Sequence, residues 1–227
     1  AVTAMVMTIL AVEAGAADLV ARCYDGALRQ PELHSHRIYR DRLGRLWLDF
    51  MSGADAYDGR YITSFADAIG GSGRYLYAML SEPDGRIWLG HEGGMTVLGA
   101  GDRVLRQYGP ADGLPEHSVT DIVRAADGTL FVLTSVGVYR EQNERFTAEP
   151  LPIPAQGGLL TDLVEAGDGG AAVLLDGHVF RYRSYGRWEK ATPQGPFPGE
   201  SPRCLRRSPD ARLTVSYPSG ALLLDRQ

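Results

Sequence analysis

The residues that could do chemistry fall in a few short segments. His91-Glu92-Gly93-Gly94 matches the first half of a zinc-protease helix, but that chemistry needs a second histidine three residues after the glutamate. Met95 stands there, so no zinc protease is expected. His34-Ser35-His36 sets two imidazoles on one side of an extended segment. With no third ligand nearby, an exposed linker is the better reading. His117 and Ser118 are neighbours, and neighbours on a strand point to opposite faces. No carboxylate is placed to orient the histidine, so no nucleophilic triad is expected. Cys23 and Cys204 lack the spacing of a zinc site. The expectation is therefore no catalytic residue, no metal and no cofactor. What remains is a set of polar loop residues flanked by apolar strands. Glu116, His117 and Ser118 form one group; His91, Glu92, Thr134 and Ser135 form the other. Such groups could supply the few hydrogen bonds that a binding pocket needs, and the competing reading of each is an ordinary solvated turn.

The elements that carry these loops recur. Leu43-Gly44, Asp84-Gly85, Asp127-Gly128, Asp168-Gly169 and Asp210-Ala211 follow one another at intervals of 41 to 43 residues. Two residues after each anchor stand Leu46, Ile87, Leu130, Ala171 and Leu213. Four after stand Leu48, Leu89, Val132, Val173 and Val215. Six before stand Ile38, Met79, Ile122, Leu163 and Leu205. All fifteen are apolar, where an average composition would fill about seven. The position three after each anchor reads Trp47, Trp88, Phe131, Ala172 and Thr214. Alternating side chains put this column on the opposite face, so both faces of the strand are covered.

Each copy reads as strand, Asp-Gly turn, strand, short turn, strand, loop, strand. The Asp-Gly pair suits a hairpin whose central residues need positive φ. A third strand recurs at Tyr57, Val97, Val138-Tyr139, Val179-Phe180 and Leu222-Leu223. A fourth is expected to begin at Arg60-Tyr61, Gln107-Tyr108, Arg145-Phe146 and Arg187-Trp188. Four strands per ~40–45 residues is the arithmetic of a β-propeller blade. The fold class is therefore all-β, a propeller of about five four-stranded blades with the last incomplete. The tryptophans read first as blade packing and only second as platforms for a sugar ring. Asp121, Asp162 and Glu165, on or near inner strands, read first as turn caps or bonds between blades and second as channel ligands.

Composition sets the outer bounds. Of 227 residues 44% are hydrophobic and 22% charged, values of a folded globular chain. Glycine, at 28 residues, exceeds the usual ~7% and fits many tight turns. The net charge of −5, without a basic run, argues against nucleic acid as a partner. Residues 1–17 hold an apolar stretch followed by Ala14-Gly15-Ala16-Ala17, the second half of a secretory signal peptide. The stretch falls short of the ~20 residues that span a bilayer. Residues 18–35 are then a linker or a closing strand, and residues 36–227 the blades. Export would permit a Cys23–Cys204 disulfide between the two ends of a closed ring, although an inner-strand cysteine is more often a small buried apolar residue.

Residues 84–94, DGRIWLGHEGG, lead through Val97 and Tyr108 to Asp112-Gly113-Leu114-Pro115 and Val119, then to Ile122 and the next Asp-Gly turn. This resembles the two-component regulator propeller repeat. The likeness is strongest for the copies anchored at Gly85 and Gly128, and extends over about residues 36–227. His91 stands where the repeat usually has threonine, while Thr134 keeps that position. The resemblance implies a larger, typically seven-bladed ring, of which five copies would be a fragment. A closed five-bladed ring is the alternative. It further implies a periplasmic ligand-sensing module of a histidine kinase or diguanylate cyclase receptor, membrane-anchored in its full length. The implied partner is a small polar ligand, an oligosaccharide or a peptide, and a homodimer is left open. An alternative is a propeller lyase similar to those that open streptogramin antibiotics, whose repeats also carry Asp-Gly and tryptophan. A non-catalytic interaction scaffold is a third.

Overall fold

The computed structural model describes residues 38–50, 53–71, 74–151, 160–166, 170–175, 177–183, 187–191, 199–207 and 212–224. All lie within the compact unit Ser35–Gln227. The expected signal peptide, the linker and Cys23 lie outside them. Sheet 1 holds β1 (Ile38–Arg40), β2 (Leu46–Phe50), β3 (Gly53–Tyr57) and β4 (Ile62–Ser64). Sheet 2 holds β5 (Leu76–Ser81), β6 (Ile87–His91), β7 (Gly94–Leu98) and β8 (Val104–Tyr108). Sheet 3 holds β9 (Val119–Arg124), β10 (Leu130–Thr134), β11 (Gly137–Gln142) and β12 (Arg145–Ala148). Sheet 4 holds β13 (Leu160–Glu165), β14 (Ala171–Leu175), β15 (His178–Arg183) and β16 (Arg187–Lys190). Sheet 5 holds β17 (Cys204–Arg207), β18 (Leu213–Tyr217) and β19 (Gly220–Leu224). Every sheet is an antiparallel meander in chain order. The fold class expected from the repeat is the fold observed, with four sheets of four strands and a last one of three. Among the described residues the only helical segments are three short 3-10 turns.

The sheets stack face to face, and the first strands of sheets 2 to 5 run side by side. β5 packs against β9, β9 against β13, and β13 against β17. The described sheets form an open array and not a closed ring. Four apolar layers fill the spaces between the five sheets, and each follows the repeat register. Trp47 of sheet 1 meets Ile87 and Leu89 of sheet 2. Trp88 meets Leu130 and Val132 of sheet 3. Phe131 meets Ala171 and Val173 of sheet 4. Ala172 meets Leu213 and Val215 of sheet 5. The column three after the turn thus packs forward, and the columns two and four after it pack backward. This double packing is why all of β6, β10 and β14 is buried, while β18 alternates between buried and half-buried positions. Phe131 is fully buried, with the rings of Tyr182 and Trp188 at 4.7 and 5.7 Å.

The tryptophans carry a second feature. The indole Nε1 of Trp47 donates to Asp41 Oδ2 at 2.9 Å, and that of Trp88 donates to Glu82 Oε1 at 3.1 Å. Both acids are buried and stand three residues before the turn glycine. In the next two copies that position is Ala125 and Ala166, and the tryptophan is Phe131 and Ala172. Acid and indole come and go together, because a buried carboxylate without donors is costly.

Two expectations about local structure need correction. The Asp84-Gly85 hairpin is not a two-residue loop with positive φ at both centres. Only Gly85 has positive φ, at 88°. Glu82 and Arg86 close the turn, with Gly85 N–H donating to the Glu82 carbonyl at 3.1 Å, and Asp84 Oδ1 accepts from Arg86 N–H at 3.0 Å. This is a three-residue loop, a turn followed by a left-handed residue. The fourth strands do not all begin with the polar–aromatic pair either. Arg145-Phe146 and Arg187-Trp188 do begin β12 and β16. Gln107-Tyr108 instead ends β8, because the loop there folds back early through the 3-10 turn at Ala100–Asp102. Arg60-Tyr61 precedes β4, as the Asp58 carboxylate accepts both of their backbone N–H groups in a turn.

The inner-strand carboxylates act between sheets. Asp121 Oδ2 accepts from Leu163 N–H at 3.2 Å, and Asp162 Oδ2 accepts from Leu205 N–H at 3.0 Å. Asp162 also pairs with Arg206, and Glu165 with Arg207 at 2.6 Å. Of the two readings offered above for these acids, the bonds between blades are the ones seen.

Candidate functional site

The seven polar candidates sit at one end of the sheets, where β6 turns into β7, β10 turns into β11, and the chain enters β9. His91 ends β6 and Thr134 ends β10. The loop that delivers Glu116, His117 and Ser118 is shaped by the Asp-Gly-Leu-Pro segment. Pro110–Asp112 forms a 3-10 turn, and Gly113 caps it with φ 96°. A Cβ at Gly113 would stand 2.1 Å from the Phe146 carbonyl oxygen, so only glycine fits. Leu114 then inserts into the layer between sheets 2 and 3.

A polar group links two of the candidates through a residue that sequence reasoning missed. Tyr77, near the start of β5, donates its hydroxyl to Glu92 Oε1 at 3.1 Å. Ser118 bonds to the same tyrosine oxygen. Burial, and then the carboxylate of Glu92, push the Tyr77 hydroxyl above its ordinary pKa, so it acts as a neutral donor. The Arg74 guanidinium donates to the Glu92 carbonyl. Tyr77 and Arg74 carry no motif; only their place one strand away from Glu92 brings them in.

His91 faces inward. It is 6% exposed. Its Nδ1 lies 2.9 Å from the Glu92 carbonyl oxygen, and its Nε2 lies 3.1 Å from Thr96 Oγ1. Thr96 Oγ1 also lies 2.8 Å from the Ala68 carbonyl, which accepts from Gln107 at 3.0 Å, so the one hydroxyl proton of Thr96 serves either that carbonyl or His91 Nε2. A carbonyl only accepts, so the contact with Glu92 places a proton on Nδ1. Burial holds the imidazole pKa below its ordinary value, against the Glu92 carbonyl and with help from the Arg74 charge. His91 is thus a neutral strut tying the β6–β7 turn to the loop between sheets 1 and 2. Thr134 is fully buried and donates to the Gly137 carbonyl at 3.0 Å, closing its own hairpin. Glu116, His117 and Ser135 are exposed, while Glu92 and Ser118 are half-buried. The structure therefore gathers Glu92 and Ser118 around Tyr77, with Glu116 and His117 next to Ser118 in sequence, while His91 turns inward to Thr96. Thr134 and Ser135 make no hydrogen bond to that group. Among the described residues, no three histidine, cysteine or acidic side chains stand together as metal ligands would. No described helix is long and apolar enough to cross a membrane.

No family model and no curated protein matches the sequence. Solved structures do. The extracellular domain of the putative hybrid two-component system BT4673 from B. thetaiotaomicron is 17% identical, with a TM-score of 0.57 over 86% of this chain and 32% of that one. The corresponding domain of BT3049 from the same organism is 14% identical, with a TM-score of 0.62 over 83% of this chain and 27% of that one. A virginiamycin B lyase from Staphylococcus aureus, crystallised with quinupristin, is 14% identical, with a TM-score of 0.66 over 83% of this chain and 65% of that one. The chain spans about a third of the length of the two extracellular domains. At these identities the likeness concerns the fold, and the fold is that of the β-propeller.

Proposed function

We propose that the chain is the ligand-sensing propeller module of a bacterial signal-transduction receptor, of the two-component or diguanylate cyclase kind, working outside the cytoplasm. The observation that carries the reading is the fold shared with two extracellular domains of hybrid two-component systems over most of this chain. The Asp84-to-Ile122 stretch, which resembles the two-component regulator propeller repeat, supports it independently. In this reading residues 1–17 are the end of a signal peptide and residues 18–35 a linker or closing strand. The ligand is a small polar molecule, an oligosaccharide or a peptide. It meets the loops at the β6–β7 turn and the β9 entry. Glu92, Glu116, His117 and Ser118 offer the polar contacts, and Tyr77 positions Glu92. His91, Thr134 and Ser135 shape the turns around them.

The lyase fold also matches, which keeps catalysis as a second reading. The state of His91 speaks against it, since a buried imidazole with both ring nitrogens engaged is poorly placed as a general base. Calorimetry on the full chain with neutral oligosaccharides and short peptides separates the two. The sensor reading expects saturable binding, weakened about tenfold by Tyr77→Phe or Glu92→Gln, with the ligand recovered intact. Recovery of a cleaved or isomerised ligand would move the protein to the enzyme class. Absence of binding to any of them would remove these loops from the reading.

A further inference from the structure

At the opposite end of β5, four residues and roughly 13 Å from Tyr77, a groove of about 470 Å³ opens between sheets 1 and 2. Tyr39, Arg40, Arg42, Gly44, Met79 and Ser81 line it. The volume falls in the range of small-molecule pockets. The repeat register explains why the groove exists. The last inner-strand residue, four before the turn anchor, reads Arg40, Ser81, Arg124, Glu165 and Arg207. Between sheets 2 and 3, Arg124 crosses to the Glu82 carboxylate at 2.6 Å. Between sheets 4 and 5, Arg207 pairs with Glu165 at 2.6 Å. Between sheets 1 and 2 the small, uncharged Ser81 takes the place of that arginine, and among the described residues no carboxylate pairs with Arg40 or Arg42 of sheet 1.

The charges around the groove confirm the imbalance. Neither Arg40 nor Arg42 forms an ion pair with a described residue. The Arg40 guanidinium lies over the turn, where a Cβ on Gly44 would stand 3.7 Å from its Nη2. Arg42 is anchored by its backbone N–H on Ser81 Oγ at 3.3 Å and its Nε on the Ser81 carbonyl at 3.4 Å. Its two terminal nitrogens make no hydrogen bond to a described residue. The acid on the wall, Asp41, is turned away. It accepts from Arg45 N–H at 2.9 Å, Arg45 Nε at 2.7 Å and Trp47 Nε1 at 2.9 Å. Arg45 also makes a two-pronged bond to Asp102 at 2.6 and 2.9 Å, so both carboxylates of that cluster are engaged by Arg45 and neither pairs with Arg40 or Arg42. Two guanidinium groups facing a groove, neither paired with a carboxylate among the described residues, suit a planar oxyanion, which arginine binds through paired N–H donors.

We propose that this groove is a binding site for an oxyanion, the carboxylate or phosphate group of a small ligand, which supplies to Arg40 and Arg42 the negative charge that Glu82 and Glu165 supply at other junctions. It is separate from the loop site at the other end of the sheets. The test is calorimetry on the full chain at fixed ionic strength, with citrate, inorganic phosphate and sucrose. Citrate or phosphate binds and sucrose does not; citrate alone marks a carboxylate site, phosphate alone a phosphoryl site, and both a general oxyanion site. The Arg40→Gln/Arg42→Gln variant loses at least about tenfold in affinity. Ser81→Glu, which places a carboxylate in the groove, loses as much, and it serves if the arginine variant does not fold. Arg86→Gln, at an arginine already paired with Asp84 at 2.7 Å, binds as the wild type does. Binding of neither anion, unchanged affinity in both groove variants, or an equal loss in Arg86→Gln would overturn the proposal.

Discussion

Single residues decide which buried polar groups this fold can carry. Trp47 and Trp88 each have a carboxylate for the indole N–H, whereas Trp188 Nε1 is buried with no hydrogen-bond partner among the described residues. Truncation to phenylalanine should therefore separate them. Trp88→Phe removes a donor from buried Glu82, and should cost about 1–3 kcal/mol more than Trp188→Phe, measured by urea unfolding. His91 gives a pH signature. Burial lowers its folded pKa, so the unfolded chain binds the proton more readily. Its contribution is fully present above the unfolded value of ~6.5 and is lost as pH falls through 6.5 toward the lower folded value. The thermal midpoint should drop between about pH 7.5 and about pH 5.5, and His91→Gln should flatten that drop. Asp41 acts in a separate window. The bonds from Trp47 and Arg45 outweigh burial and hold its pKa low. Its stabilisation is present above the unfolded ~3.9 and lost as pH falls through the lower folded value.

At the scale of elements, the connections are as specific as the strands. The Asp162 carboxylate, on β13, holds the Leu205 N–H of β17, and Asp162→Ala leaves a buried donor unpaired. The expected cost is about 1–3 kcal/mol, read as a shift in the urea midpoint without a change in slope. Gly113 shows the steric side. With φ 96° and a carbonyl in the place of its Cβ, Gly113→Ala should cost at least about 2 kcal/mol. Gly85→Ala, with open space around the position, should cost only about 1 kcal/mol for its left-handed φ. These elements also show what the sequence could reveal. Strand order, turn positions and the two-faced burial of β6, β10 and β14 follow from a period of 41 to 43 residues, because each copy repeats the same packing problem. The coupling of Glu82 to Trp88 was not legible, because the acid three before the turn recurs only at Asp41 and forms no column through the five copies. Tyr77 and Arg74 stayed hidden, because their partner Glu92 lies across a strand pair. Sequence spacing does not show that a side chain such as His91 turns inward.

The whole molecule is a stack in which each sheet completes its neighbour's core. Repeat arrays distribute stability through such interfaces. The described part of sheet 5 buries one face of β18 and half-exposes the other, and sheets 2 to 4 bury both faces of their second strands. Native-state hydrogen exchange should therefore open β17–β19 at lower free energy than β6 or β10. Placing the function on the loops of such a stack, and not on its core, agrees with the general rule that folds are scaffolds and sites are local. The most direct test of that placement is hydrogen–deuterium exchange by mass spectrometry on the full chain, with and without a bound oligosaccharide or peptide, weighing the ligand in the same run. The account predicts protection confined to the segments around Glu92 and around Glu116–Ser118, with the ligand mass unchanged. Protection confined to other segments, or a ligand of altered mass, would contradict it.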